Sequence, residues 1–238
     1  MEVIVLKDYE EVSQKAIEVM KEIVANKPTA VLGLATGSTP IGLYERMIKD
    51  HEENGTSYKD CQSFNLDEYV GLPRDHRESY YTFMHKNLFH GIDIKEENVH
   101  LPYGDTKEDC AAYEKAMENV HVDVQVLGIG ANGHIGFNEP GTPFDEETHI
   151  VTLTEKTRED NARFFDGDIN QVPTHAITMG VATIMKAGKI LLIATGANKA
   201  DAVAAMINKE ANTDCPASVL QNHKDVIVIL DEAAATKL

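Results

Sequence analysis

The chain has 238 residues, is 42% hydrophobic, and sets 22 Lys and Arg against 39 Asp and Glu, a formal charge of −17. That length and composition support one large domain spanning 1–238 with a full core, and no low-complexity linker divides it. So acidic a chain excludes nucleic acid and anionic membrane surfaces as partners, and any anionic ligand must be held by a locally built site.

Met1 to Leu6 reads as a short strand, Val3 to Leu6, followed at once by charged residues. It lacks the long apolar core of a signal peptide, and no segment approaches a membrane-spanning length. From Tyr9 to Ala25, apolar residues at Val12, Ala16, Val19, Met20 and Ile23 recur at helical spacing before Pro28. Ala30 to Ala35 is a buried strand. The turn Thr36-Gly37-Ser38-Thr39-Pro40 then opens a helix running through Ile48. Such a turn suits a phosphate, because the first N–H groups of a helix lack internal partners, the dipole end is positive, and hydroxyls add donors. The competing reading is that Ser38 or Thr39 merely caps the helix.

Phe64 to Leu66 ends another strand and places Asp67 and Glu68 where an open sheet keeps its crevice. One of the pair is a candidate base; the alternative is a solvated acidic pair. Tyr80 to Phe89 and Lys107 to Val120 read as helices and Val122 to Ile129 as a strand. The strand releases Gly130-Ala-Asn-Gly-His-Ile-Gly-Phe-Asn-Glu-Pro140, a glycine-laced turn that cannot be a helix. Asn132, His134 and Glu139 together form a proton-handling set, an amide, an imidazole and a carboxylate at the end of a buried strand. Turn chemistry explains the glycines and Pro140 but not His134 beside Glu139. Gly128, Gly130 and Gly133 match the dinucleotide fingerprint by letter, yet no helix can start there, so a nicotinamide cofactor is rejected.

Ile150 to Leu153 reads as a strand, 154–165 as a helix, Ala176 to Met185 as a helix, and Lys189 to Ala194 as a strand feeding a helix from Lys199 to Asn208. Val226 to Leu230 is the last buried strand. The alternation implies an α/β fold, an open, mostly parallel sheet with helices on both faces, of a modified Rossmann-like kind. The polar segments 141–149 and 166–175 are where a lid is expected. Leu32-Gly-Leu-Ala-Thr-Gly37 and Leu191-Leu-Ile-Ala-Thr-Gly196 repeat one strand-turn-helix device. The second copy adds Lys199, and Arg158 and Arg163 lie on the helical segment before it. A cation reaching the same crevice would counter a phosphate charge.

Cys61, Cys110 and Cys215 are far apart with no CxxC, so neither a disulfide framework nor a zinc site is expected, and the cytoplasm is the simplest location. The histidines include no HExxH, and no GxSxG elbow suggests a serine hydrolase.

Taken in series, Leu34-Ala-Thr-Gly-Ser-Thr-Pro40, Phe64-Asn-Leu-Asp-Glu-Tyr-Val-Gly-Leu-Pro73, Ser79-Tyr-Tyr-Thr-Phe-Met84, Asn132-Gly-His-Ile-Gly-Phe-Asn-Glu-Pro140, Arg163-Phe-Phe and Gln171-Val-Pro-Thr-His-Ala176 resemble the glucosamine-6-phosphate deaminase family. The resemblance covers nearly the whole chain. It implies conversion of glucosamine 6-phosphate and water to fructose 6-phosphate and ammonia, without metal or organic cofactor. By the family's pattern, Asp67 shuttles a proton between C2 and C1, His134 handles the ring-opening proton, and Glu139 sets its protonation and orientation. Thr36, Gly37, Ser38, Thr39, Arg163 and Lys199 match the phosphate-binding positions; Arg158 has no such support. Some members carry Asp at position 132, where this chain has Asn, which can orient His134 by hydrogen bonding but cannot share its proton, so Glu139 is expected to carry more of the ring opening. The resemblance also implies that some larger relatives are hexamers activated by an amino-sugar phosphate at a second site. The early end at Leu238 and the acidic segment 141–149 imply no such allosteric hexamer, though self-association stays open. Two other readings compete: a lactone hydrolase of the same architecture, similar to 6-phosphogluconolactonase, which needs no carbon-acid base, and a non-enzymatic sugar-phosphate sensor, which would normally carry an effector domain.

Overall fold

The computed structural model describes residues 1–238. The chain begins with β1 (Glu2–Leu6), α1 (Tyr9–Asn26), β2 (Val31–Leu34), α2 (Ile41–Asn54), β3 (Gln62–Asn65), β4 (Asp67–Tyr69) and α3 (Tyr80–Asn87). It continues through β5 (Val99–His100), α4 (Lys107–Met117), β6 (Val124–Leu127), β7 (His149–Thr152) and α5 (Glu155–Ala162). The last part holds β8 (His175–Thr178), α6 (Val181–Ile184), β9 (Lys189–Ala194), α7 (Ala200–Asn208) and β10 (Val226–Asp231).

Seven strands form one sheet in the order β1-β10-β9-β6-β2-β3-β5, every neighbouring pair parallel. Parallel strands are covered on both faces, which is why β2 and β6 are buried along their whole length. Two cores of similar size result. One packs α1, α2 and α3 against Leu32, Leu34, Val124 and Ile193; the other packs α4, α6 and α7 against Phe64, Leu127, Ile190 and Val228. The path leaves β2 outward to β3 and β5 and returns to β6 on the opposite side of β2. The loops after β2 and β6 therefore part, opening a crevice at the carboxyl ends of the strands.

A second, three-stranded antiparallel sheet in the order β4-β8-β7 sits with α5 around a small core of Tyr69, Phe137, Leu153, Phe165 and Ala176. It corrects two expectations. Residues 176–185 are not one helix: His175–Thr178 is the middle strand of this sheet, and the helix is the single turn Val181–Ile184. A short apolar run carries no periodicity that separates helix from strand, and here pairing with Asp67–Tyr69 and His149–Thr152 decides. Asp67, Glu68 and Tyr69 are likewise themselves a strand rather than residues trailing one.

The second helix runs past Ile48 to Asn54. Its polar last turn is held by buried Asp50, which accepts from Lys21 Nζ at 2.6 Å and Asn54 Nδ2 at 2.7 Å, and it stops at Gly55 with φ 73°. No helix is long and apolar enough to cross a membrane.

Candidate active site

The crevice is a cleft of about 690 Å³, and its wall brings together Thr36, Gly37, Ser38, Thr39, Asp67, His134, Arg163 and Lys199. Asn132 and Glu139 stand behind His134 rather than on the wall. Arg158 does not reach it, since its guanidinium donates to the carbonyls of Ile169 and Val172. Neither 141–149 nor 166–175 lines the cleft; the covering segment is 157–165, from α5 and the turn after it. The 141–149 stretch is tied down elsewhere, with Gly141 N donating to Thr213 O at 2.8 Å and Thr148 N to Glu114 at 2.9 Å.

At one end lie the two Ala-Thr-Gly turns. Gly37 and Gly196 both adopt φ 93°, a positive value that glycine tolerates and other residues rarely take, so the repeated sequence places the same demand on both turns. The α2 helix has Pro40 at its N-cap and no side-chain cap, so the hydroxyls of Ser38 and Thr39 are not consumed in capping. Tyr9 from α1 steadies this turn instead: its hydroxyl accepts from Gly42 N at 2.7 Å and lies 3.1 Å from Ser38 O. The second turn is anchored by Asp231, which accepts from Gly196 N at 2.9 Å, and it delivers Lys199 to the cleft. Burial lowers the Lys199 ammonium pKa, Asp160 opposes that shift, and Arg163 adds to it. Arg163 itself stacks over Phe164 at 4.7 Å. The result is a cationic, donor-rich end in a chain of charge −17.

The opposite end holds the carboxylates. Side chains alternate along a strand, so Asp67 and Glu68 diverge. Glu68 turns away from the cleft and accepts three backbone N–H groups, from Tyr69 at 2.8 Å and from Tyr80 and Tyr81 at 2.9 Å, which satisfies the start of α3. Asp67 faces the cleft, buried, with no hydrogen bond from the protein; burial first and the Glu68 charge second raise its pKa to about 8. The ambiguity within the acidic pair is thus resolved by geometry, with one carboxylate structural and the other free.

The loop after β6 supplies the rest. Gly130 lies flat against the His134 ring, where any Cβ would overlap the imidazole, and a Cβ on Gly133 would fall 2.6 Å from Cys215 Sγ. Of the apparent dinucleotide glycines, Gly130 is therefore needed to pack His134 and Gly133 to pack Cys215, while Gly128 meets only ordinary contact with Thr39. Gly136 supplies a φ of 58°, and a Cβ there would crowd Thr178 Oγ1 at 3.1 Å. His134 Nδ1 sits 3.6 Å from Glu139 Oε2. Asn132 acts differently from expectation: its Oδ1 accepts from the His134 backbone N–H at 3.2 Å, and its Nδ2 donates to Glu139 Oε2 at 2.6 Å. It fixes the carboxylate and the loop, not the imidazole ring.

Sequence reasoning missed Thr157, whose hydroxyl donates to Glu139 Oε1 across the cleft wall. Burial works to raise the Glu139 pKa, but the imidazole of His134, near at 3.6 Å though not hydrogen-bonded, and the hydrogen bonds from Thr157 and Asn132 outweigh it and bring it to about 2. No three His, Cys, Asp or Glu side chains converge as a metal-ligand set would. A buried carboxylate beside an imidazole, a second free carboxylate, and a cationic far end can together move protons on a small anionic substrate.

Residues 8–229 match the family model described as glucosamine-6-phosphate isomerases/6-phosphogluconolactonase. The chain is 51% identical over 242 residues to a glucosamine-6-phosphate deaminase of Halalkalibacterium halodurans, covering 100% of this chain and 98% of that protein. It is 50% identical over 242 residues to one of Clostridioides difficile, covering 100% and 97%. Among solved structures it superposes on a monomeric glucosamine-6-phosphate deaminase with TM-score 0.97 and 43% identity over 100% of both chains. It shares its fold with 6-phosphogluconolactonase from Trypanosoma cruzi, with TM-score 0.80, 22% identity and coverage of 100% and 96%.

Proposed function

The chain belongs to the family of glucosamine-6-phosphate isomerases and 6-phosphogluconolactonases, and we propose that it acts there as a glucosamine-6-phosphate deaminase, with the whole chain working as one domain. The reaction joins glucosamine 6-phosphate and water to give fructose 6-phosphate and ammonia. The phosphate docks at the cationic end, on the N–H groups and hydroxyls of Thr36 to Thr39, with Lys199 and Arg163 countering its charge. The reacting carbons then lie toward Asp67. His134 carries the proton between the ring oxygen and the C1 hydroxyl as the pyranose opens, and Glu139, fixed and anionic, keeps the imidazole oriented and tolerant of positive charge.

Asp67 removes the C2 proton of the open chain and returns it to C1. The intermediate is an enolamine, the nitrogen counterpart of an enediol. Reprotonation at C1 leaves an imine at C2; water adds there and ammonia departs with the C2–N bond. A base serving two adjacent carbons must not be pinned by the protein, and the observation that carries this reading is the Asp67 carboxylate, buried, facing the cleft and bound to no donor. The raised pKa fits the same role: in the empty cleft the proton is held, and an incoming substrate ammonium favours the carboxylate form.

The three cysteines are unpaired, in keeping with a reducing cytoplasm. We infer no allosteric activation, because the acidic segment 141–149 offers no cationic ligand set for a second phosphate. Incubating the purified protein with glucosamine 6-phosphate and measuring both products tests the function. Ammonia and fructose 6-phosphate are expected in equal amounts. Turnover of 6-phosphogluconolactone with neither product formed would replace this reading with the hydrolase.

A further inference from the structure

Glu139 is held from two directions. Its Oε2 accepts from Asn132 Nδ2 at 2.6 Å on its own loop, and its Oε1 accepts from Thr157 Oγ1, which belongs to α5. Thr154, the N-cap residue of that helix, stands 3.5 Å from the same Oε1 and donates its hydroxyl toward either partner, with Thr157 Oγ1 at 2.9 Å. The carboxylate is 8% exposed and Thr157 is 6% exposed, so water does not substitute for these bonds. The charged group facing Glu139 from its own loop is His134, at 3.6 Å; from α5 it meets hydroxyls and no charge. One turn beyond Thr157, the same segment brings Asn161 and Arg163 to the cleft.

We infer that Thr157 is a positioning residue for ring opening: its hydroxyl fixes the Glu139 carboxylate against His134 and ties that pair to the wall that carries Arg163. The inference rests on the deaminase reading above. Its consequence is that α5 acts on chemistry as well as on binding. When Arg163 engages the phosphate and steadies the segment, Thr157 is pressed onto Glu139, so seating the substrate's far end sharpens the acid–base pair at its near end. Without the hydroxyl, Oε1 of a buried anion loses its short donor and keeps only the long contact from Thr154 at 3.5 Å. The carboxylate then rises in pKa and turns, and the imidazole is less well held.

The test compares Thr157→Val, Thr157→Ala and Thr157→Ser with the native enzyme, following fructose 6-phosphate and ammonia across the pH range. Thr157→Ser keeps the donor and is expected to retain kcat and the native pH profile. Thr157→Val and Thr157→Ala are expected to lower kcat by roughly ten- to a hundredfold with KM changed by less than about threefold. The Ser variant separates the hydroxyl from packing, because kcat is expected to follow the donor and a purely structural role would move stability in all three variants without this kcat-against-KM split. If Thr157→Val does not fold, the Ala and Ser pair makes the same comparison, with thermal denaturation confirming that both are native. Native kcat in a folded variant lacking the hydroxyl, or loss of kcat in Thr157→Ser equal to that in Thr157→Ala, would overturn the inference and leave the deaminase reading intact. Absence of ammonia release by the native enzyme would remove that reading itself.

Discussion

The two ends of the cleft are built on different principles. The end proposed to hold the phosphate uses one Ala-Thr-Gly sequence twice at the tips of parallel strands, and its donors are set by local backbone, with Gly37 and Gly196 both at φ 93°. The end proposed to move protons is assembled from pieces distant in the chain: Asp67 on one strand of the small sheet, His134 and Glu139 on the loop after β6, and Thr157 on α5. Rigid local turns suffice to grip a charged group of fixed shape. Moving a proton between two carbons requires one carboxylate left free and another held fast, and that difference has to come from tertiary surroundings.

The sharpest way to break this contrast is to remove the free carboxylate. Asp67→Asn should lower kcat on the order of 10³-fold while KM changes little, since an amide cannot take the C2 proton. The same variant should be more stable above neutral pH. The folded pKa of about 8 lies above the value of an exposed aspartate, so the contribution of Asp67 to stability is fully present at acidic pH and lost as pH rises toward 8. Thermal denaturation against pH should show that slope in the native protein and not in the variant; equal slopes would mean that Asp67 ionises in the folded state as it does in the unfolded chain. In the native enzyme kcat/KM should rise with pH through the same region.

The phosphate end should respond differently. Lys199→Met should reduce kcat/KM by about a hundredfold, mostly through KM, because a charge-assisted contact is lost away from the reacting atoms. A fall in kcat alone would place Lys199 at the chemistry instead and erase the division between the ends. A smaller and purely structural effect is expected at Glu68→Gln. It should cost about 2 kcal/mol of stability by weakening the acceptor for three backbone N–H groups. Turnover per folded molecule should be retained, and a collapse of kcat matching Asp67→Asn would show that the two carboxylates share the base role.

The same contrast governs what the sequence could reveal. Most of the parallel sheet, its longer flanking helices and the Thr36 to Thr39 turn follow from apolar runs, caps and glycines that act over a few residues; the two-residue edge strand Val99–His100 is too short to show such a pattern. The Asn132–Glu139 loop is legible for the same reason. The role of Glu68 is not, because it depends on α3 beginning 12 residues later within its reach. The strand at His175–Thr178 is hidden because its partners are Asp67–Tyr69 and His149–Thr152, and no local pattern reports pairing across such separations. Thr157 carries no sign of its contact with Glu139, since a threonine in the first turn of a helix reads as ordinary capping. The segments 141–149 and 166–175 are polar, but so is α5, whose residues Thr157 to Ala162 with the turn to Phe165 line the cleft; with no apolar stripe, nothing in its sequence sets it apart from a solvated helix.

The flat contact between Gly130 and the imidazole has an outcome for anyone mapping this enzyme by mutation. A saturation screen scored on turnover would rank Gly130 beside His134, because every side chain there evicts the ring. Yet Gly130 offers no group that exchanges a proton, and such a map, taken alone, would draw the catalytic boundary one residue too wide.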